Sequence, residues 1–147
     1  MNATLTTLRP AILDDTSQLA ALSGQLGYPA TPQAIADRLR QLLPDQCNML
    51  YVAVLPDKKI VGWVHACKRT LLMVDHFVEI EGLVIDQDYR SQQIGKHLLD
   101  EVERWARQNG CTSVYVRSNI IREGAHRFYE TNGYKRIKTQ HAYRKEL

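Results

Sequence analysis

Cysteine is scarce in this chain of 147 residues: Cys47, Cys67 and Cys111 are an odd number at wide spacings. Such a set suits neither a disulfide framework nor a zinc knuckle, so the three are read as reduced core residues. The five histidines, His65, His76, His97, His126 and His141, show no metal-ligand spacing either, and no metal is expected. Long apolar runs are missing; none approaches the ~20 residues that cross a bilayer. The opening Met1-Asn2-Ala3-Thr4 lacks the basic-then-apolar plan of a signal peptide, so a cytoplasmic protein with no membrane partner is expected. Charge of one sign is also in short supply. A formal charge of +3, with no Lys/Arg block and no aromatic-and-basic stripe, argues against nucleic acid as a partner and suits an anionic cofactor. No repeat, linker or low-complexity stretch divides the sequence. A single domain over residues 1–147 is expected, long enough to bury about 68–70% of its unfolded surface without metals or disulfides.

What the chain does have is a regular succession of strand and helix patterns. Residues 5–9 read as a first strand closed by Pro10, with Asp14 or Asp15 placed to cap the helix that follows. Leu19, Leu22 and Leu26 make that helix's buried stripe, and Gly24 with the Gly27-Tyr28-Pro29 turn is expected to end it. Thr31 and Pro32 open a second helix carrying Ile35, Leu39, Leu42 and Leu43 at helical spacing. Residues 49–55 and 60–68 flank Pro56-Asp57-Lys58-Lys59 as an antiparallel hairpin, with a bulge expected at Gly62. Residues 76–85 form a long strand with Gly82 past its middle, a mark of a bulge or of close approach by a ligand.

Ile94, Leu98, Val102 and Trp105 define the inner face of the strongest helical pattern, which Asn109-Gly110 caps. Residues 113–117 then read as a strand. A strand–helix–strand unit of this length crosses over right-handed, so this strand should lie parallel to 76–85. A short helix over residues 123–131, ended by Asn132-Gly133, and two terminal strands, 134–138 and 142–145, complete the plan. The fold class is α/β (α+β): a three-layer domain with helices on both faces of a central mixed, mostly antiparallel sheet that holds a parallel pair in its middle.

One stretch organises the rest. Residues 83–96 join the apolar strand Leu83-Val84-Ile85 to the amphipathic helix through a polar turn, Asp86 to Gln93. A turn that wraps into a helix N-terminus presents free N–H groups and the positive end of a dipole, which suits a pyrophosphate. This stretch resembles the acyl-CoA-binding motif of the GNAT superfamily of N-acetyltransferases, Leu-x-Val-x-Pro-x-Tyr-Arg-Gly-x-Gly-Ile-Gly, at Leu83, Ile85, Tyr89, Arg90, Ile94 and Gly95. Residues 125–134, from Ala125 through Phe128-Tyr129-Glu130 to Gly133-Tyr134, are similar to the family's second signature, Ala-x-x-Phe-Tyr-Glu-x-x-Gly-Phe.

The resemblance implies a GNAT-like fold, acetyl-CoA as cosubstrate and no metal. Backbone N–H groups of Ser91, Gln92, Gln93, Ile94, Gly95 and Lys96 would hold the pyrophosphate, with Arg90 shaping the turn and Lys96 adding charge. The family usually has glycines where Ser91 and Gln93 stand, and a side chain that points outward is tolerated there. Leu83, Val84 and Ile85 would act through their backbones, where the strand splays from its parallel neighbour to bind pantetheine. An N–H there would polarise the acetyl carbonyl. Arg122 stands where the second signature usually has Asn, and Asn119 lies upstream; which of the two contacts the cofactor is open.

Direct acyl transfer from a thioester needs a neutral amine and a proton for the departing thiolate. By resemblance Tyr129 supplies the proton and also touches the cofactor, the alternative being a core aromatic with a satisfied hydroxyl. Glu79 and Glu81 alternate onto one strand face beside Gly82, where a bulge can turn one toward the cleft. Glu81 is the candidate base, through water, and Glu79 a candidate ligand for a cationic substrate; the competing reading is a solvated strand face. Tyr28 is a candidate acceptor-site residue, with packing on the second helix as its alternative, and His126 shares a helical face with Tyr129. Cys111 has no paired base in view, so no acyl-cysteine route is expected. The expected function is acetyl transfer to a primary amine of a small molecule. The rivals are a non-catalytic acyl-CoA sensor and a protein lysine or N-terminal acetyltransferase. A homodimer through the terminal edge near residues 142–147 is expected.

Overall fold

The computed structural model describes residues 5–147. Met1–Thr4, read above as lacking a signal-peptide plan, lie outside the described residues. The chain divides into two compact units, Met1–Val116 and Arg117–Leu147.

The first unit is built on a five-stranded sheet in sequence order: β1 (Thr7–Pro10), β2 (Asn48–Val54), β3 (Ile60–Arg69), β4 (Phe77–Ile85) and β5 (Val114–Val116). Neighbours are antiparallel except β4 and β5, which are parallel, as expected across the long helix; with no terminal strands formed, this pair stands at one edge of the sheet and not in its middle. Three helices accompany it: α1 (Thr16–Leu26), α2 (Pro32–Leu42) and α3 (Ile94–Gln108). Thr31 caps α2 by accepting from the Ala34 N–H at 3.1 Å, with Pro32 in the first turn. Asp15 does not cap α1 with its side chain; it takes a bidentate pair from Arg9 at 2.8 and 2.9 Å and an N–H from Ile12. Gly24 stays inside α1, contrary to expectation. Gly27 ends the helix with φ 97°, because only a residue without a Cβ takes that turn at no cost.

The helices cover both faces of the sheet. Adjacent residues of a strand point to opposite sides. A Cβ on Gly62 would lie in ordinary contact with Leu98 of α3, at 3.5 Å, whereas Trp63 packs with Leu19, Leu22 and Leu26 of α1 and Ile35 and Leu39 of α2. On the α3 side Ile94, Leu98, Leu99, Val102 and Ala106 are buried along one helical stripe.

Two irregularities shape the sheet. The β2–β3 ladder slips so that Val61, next to Gly62, is the extra residue. In the β3–β4 ladder Gly82 faces His65 and Ile80 faces Ala66, so Glu81 is the bulged residue. Gly82 follows it because Trp63 leaves no room: a Cβ there would sit 2.8 Å from the indole.

In the second unit α4 (Glu123–Thr131) forms over the residues its pattern predicts. The two terminal strands do not form, and residues 135–147 carry no helix or strand. Lys135, Arg136, Lys138, Arg144 and Lys145 dominate these segments and leave little apolar surface to bury, and a lone two-stranded hairpin is marginal without it.

Candidate active site

The two ends of β4 carry the candidate residues of the first unit. At its C-terminal end, Asp86 N–H donates to Val61 O on β3 at 2.8 Å. Alternation then turns the N–H groups of Ile85 and Leu83 to the opposite edge, and those of Val84 toward β3. β5 stops at Val116, opposite Ile80, so no β5 residue lies across Leu83 or Ile85. The parallel pair therefore covers only the first part of β4.

The turn after β4 is tightly organised. Asp86 accepts from Asp88 N–H at 3.0 Å, Tyr89 N–H donates to Asp86 O, and Arg90 Nε reaches back to Ile85 O at 3.3 Å. Gln25 of α1 accepts from Gln87 N–H at 2.9 Å and fixes the turn to the helix layer. Lys59 sits 3.8 Å from Asp86 and over the Tyr89 ring. Ser91 and Gln93 then take φ values of 64° and 67°, in the left-handed region that favours glycine. Both are exposed, so their side chains leave the turn while the backbone keeps its glycine-like path.

Gln93 stands at the N-cap of α3 and makes no side-chain cap. The first amide to reach an acceptor within the helix is that of His97, on Gln93 O at 3.0 Å. The N–H groups of Ile94, Gly95 and Lys96 thus have no acceptor inside α3. Ile94 and Gly95 are buried, and Lys96 pairs with Asp100 at 2.9 Å. In the same turn Gln92 Oε1 is buried without a hydrogen-bond partner among the described residues. These residues fit a pyrophosphate: open amides, a dipole end and a backbone bent to expose them.

At the N-terminal end of β4 the chemistry lies in side chains. Arg69, the last residue of β3, places Nη2 at 2.8 Å from Glu81 Oε1 and 3.3 Å from Glu79 Oε2. Glu79 is buried, Glu81 is 30% exposed and Arg69 is 45% exposed, so the guanidinium bridges one covered carboxylate and one open one. The hydrogen bond from Arg69 and the charge of Glu81 hold the guanidinium's pKa above its ordinary value. Trp63, His65 and Cys67 precede Arg69 on the same face of β3. His65 Nε2 lies 2.8 Å from Asn48 Oδ1, an atom that can only accept, so the imidazole carries its proton there. Burial first, and the Arg69 charge second, lower its pKa and keep it neutral. Burial likewise pushes the Cys67 thiol up. Sequence reading missed Arg69. The available signal was a run of alternating polar residues, His65, Cys67 and Arg69, on a strand otherwise buried.

Tyr28 is 71% exposed, on a turn locked by Ser23, whose hydroxyl donates to Tyr28 O at 2.6 Å. It does not pack down on α2.

In the second unit Tyr129 is half-buried on α4 between Phe128 and Tyr134, with ring centroids at 5.2 and 5.8 Å. Burial raises its pKa to about 12, against a smaller opposing effect of Arg122. It keeps its proton throughout the neutral range. Asn119 is committed locally: Oδ1 accepts from Ile121 N–H, and its carbonyl takes Arg122 N–H at 2.9 Å and His126 Nε2 at 2.8 Å. His126 is thereby a brace for the turn before α4.

No helix among the described residues is long and apolar enough to cross a membrane. Residues 15–134 match the Acetyltransferase (GNAT) family. The aminoalkylphosphonate N-acetyltransferase of Salmonella typhimurium is 34% identical over 134 residues, 87% of this chain and 84% of that protein. The N-acetylaspartate synthetase of Xenopus tropicalis is 32% identical over 94 residues, 64% of this chain and 32% of that protein. Among solved structures, the aminoglycoside N-acetyltransferase AAC(6')-Iy in complex with CoA shares the fold with a TM-score of 0.86 at 17% identity, over 99% of this chain and 98% of that one.

Proposed function

The chain belongs to the GNAT acetyltransferase family, an acetyl-CoA-dependent N-acyltransferase family, and from that premise we propose that it acetylates the primary amine of a small molecule by direct attack in a ternary complex. The observation that carries the reading is the turn before α3, where Ser91 and Gln93 adopt the glycine-like conformation and leave the helix amides open. The relatives named above act on small amines, which supports a small-molecule acceptor over a protein lysine or N-terminus. The family match spans parts of both units, which supports one functional domain over 1–147.

Acetyl-CoA supplies the acetyl group as a thioester. The amides of residues 91–96, with Arg90 shaping the turn, hold its pyrophosphate, and the outward edge of Leu83–Ile85 lines up the pantetheine arm. An N–H of that edge polarises the acetyl carbonyl. Glu81 takes a proton from the ammonium through water, so that nitrogen can attack. As the C–S bond breaks, Tyr129 gives its proton to the sulfur, and the second proton lost by nitrogen restores the phenol. The Tyr129 phenol is protonated at neutral pH, as a donor must be, and burial makes it a weaker acid than a free tyrosine, so its role rests on its place in the Phe128-Tyr129-Glu130 signature. Glu79 and Tyr28 belong to the acceptor side.

A cytoplasmic location and a homodimer go with this reading. Exposed Ile137, Tyr143 and Leu147 support association of copies, which light scattering tests. For the reaction itself, the assay is release of free thiol from acetyl-CoA with a panel of amines. Tyr129→Phe should lower kcat about 100-fold, the scale of a lost general acid, while acetyl-CoA affinity holds. Unchanged turnover would contradict the assignment.

A further inference from the structure

We propose that Arg69 selects acceptors that carry an acid group close to the amine, by exchanging its ion pair with Glu81 for one with that acid. The proposal rests on the acetyl-transfer reading above and names the substrate class of the same site. Its starting point is the geometry at the head of β4. One guanidinium faces two carboxylates, at 3.3 Å from Glu79 and 2.8 Å from Glu81, an acid-rich cluster near His65, whose pKa burial lowers. Such a cluster attracts an ammonium. Glu81 is the open carboxylate, yet its Oε1 is taken by Arg69 Nη2 at 2.8 Å. A base held in this way is not free to receive an amine proton.

An acceptor with both charges resolves the conflict. Its anion competes for the exposed guanidinium, whose planar fork matches phosphonate or carboxylate oxygens. Glu79, covered by the sheet, remains as the fixed partner that holds Arg69 in place. Glu81, released, turns to the ammonium. Only a short spacer between amine and acid fits, because Glu81 and Arg69 are themselves in contact. The bulge contributes directly: Glu81 is the residue without a register partner on β3, so its side chain can reorient without breaking a regular ladder. Plain amines lack the anion and leave the Arg69–Glu81 pair closed. Diamines would add a second cation to a site whose one cation is already exposed.

The test is a matched set of acceptors of similar length, 2-aminoethylphosphonate, 3-aminopropionate, n-propylamine and 1,3-diaminopropane, followed by thiol release from acetyl-CoA. For the wild type, kcat/KM for the acid-bearing amines should exceed that for propylamine by about 30-fold, the scale of a charge-assisted hydrogen bond. In Arg69→Gln that ratio should fall to near one, chiefly through KM for the acids, and Arg69→Lys should restore part of it. Circular dichroism and thermal melts confirm that each variant is folded. A ratio near one in the wild type, a preference for the diamine, or a ratio unchanged in Arg69→Gln overturns the proposal while the acetyl-transfer reading stands. No thiol release with any amine overturns that reading and the proposal with it.

Discussion

The two ends of β4 do different work by different means. On the proposed reading the ligand-facing groups at its C-terminal end are backbone: the outward amides of Leu83 and Ile85 and the amides at the start of α3 that have no acceptor within the helix. At its N-terminal end they are side chains, the Glu79–Arg69–Glu81 bridge. Backbone recognition asks only that the chain take a particular path, so side chains at Ser91 and Gln93 can vary while the φ values do not. Side-chain recognition asks for particular atoms, so that end of the strand can differ between relatives that share a cofactor. On the proposed reading one strand would serve a common cosubstrate and a particular acceptor, with the bulge at Glu81 between them.

Substitutions at the boundary between these ends break the comparison most strongly. Gly82→Val would set a side chain against the Trp63 ring, where even a Cβ comes within 2.8 Å. We expect a loss of about 1–3 kcal/mol in unfolding free energy, the scale of overpacking, and a rearranged bulge. Chemical denaturation measures the first and acceptor KM the second. A variant as stable as the wild type would show that the bulge tolerates bulk.

A smaller effect of opposite sign is expected at the cofactor end. Ser91→Gly and Gln93→Gly should each stabilise the fold, or tighten acetyl-CoA binding, by about 0.5–1 kcal/mol, because glycine takes a left-handed φ without the penalty of a Cβ. Thermal melts and calorimetric titration read these. If both substitutions weaken acetyl-CoA binding, the side chains themselves make the contact and the backbone account fails.

The smallest effect concerns pH at the acceptor end. His65 has a folded-state pKa below its unfolded value of 6.5. Below about pH 6.5 the unfolded chain binds a proton that the folded chain refuses, so stability falls as pH drops from there through the folded value. Above 6.5 this contribution is constant. His65→Gln, which keeps a donor for Asn48, should flatten that limb in urea titrations at a series of pH values.

The same contrast explains what could be read in the sequence. The turn before α3 was legible because a backbone path leaves a mark in the order of residue types, Tyr89-Arg90 followed by Ile94-Gly95, and the amphipathic stripe of α3 fixed where the helix begins. The bulge was signalled by Gly82, although the extra residue is its neighbour. Arg69 belongs to no motif. Its role depends on the register of β3 against β4, which places it beside residues 10 and 12 positions later, and no local pattern encodes that pairing. The terminal strands were misread because residues 134–138 and 142–145 carry β-compatible Tyr134, Ile137 and Tyr143 among cationic side chains that leave no continuous face to bury.

The most direct test of the account compares binding with turnover in Glu81→Gln, measured by calorimetric titration with acetyl-CoA and by steady-state thiol release. If the ends of β4 divide the labour, acetyl-CoA affinity should match the wild type while kcat/KM falls about 100-fold, as for a lost general base. Full turnover in the variant, or a parallel loss of acetyl-CoA affinity, would contradict it.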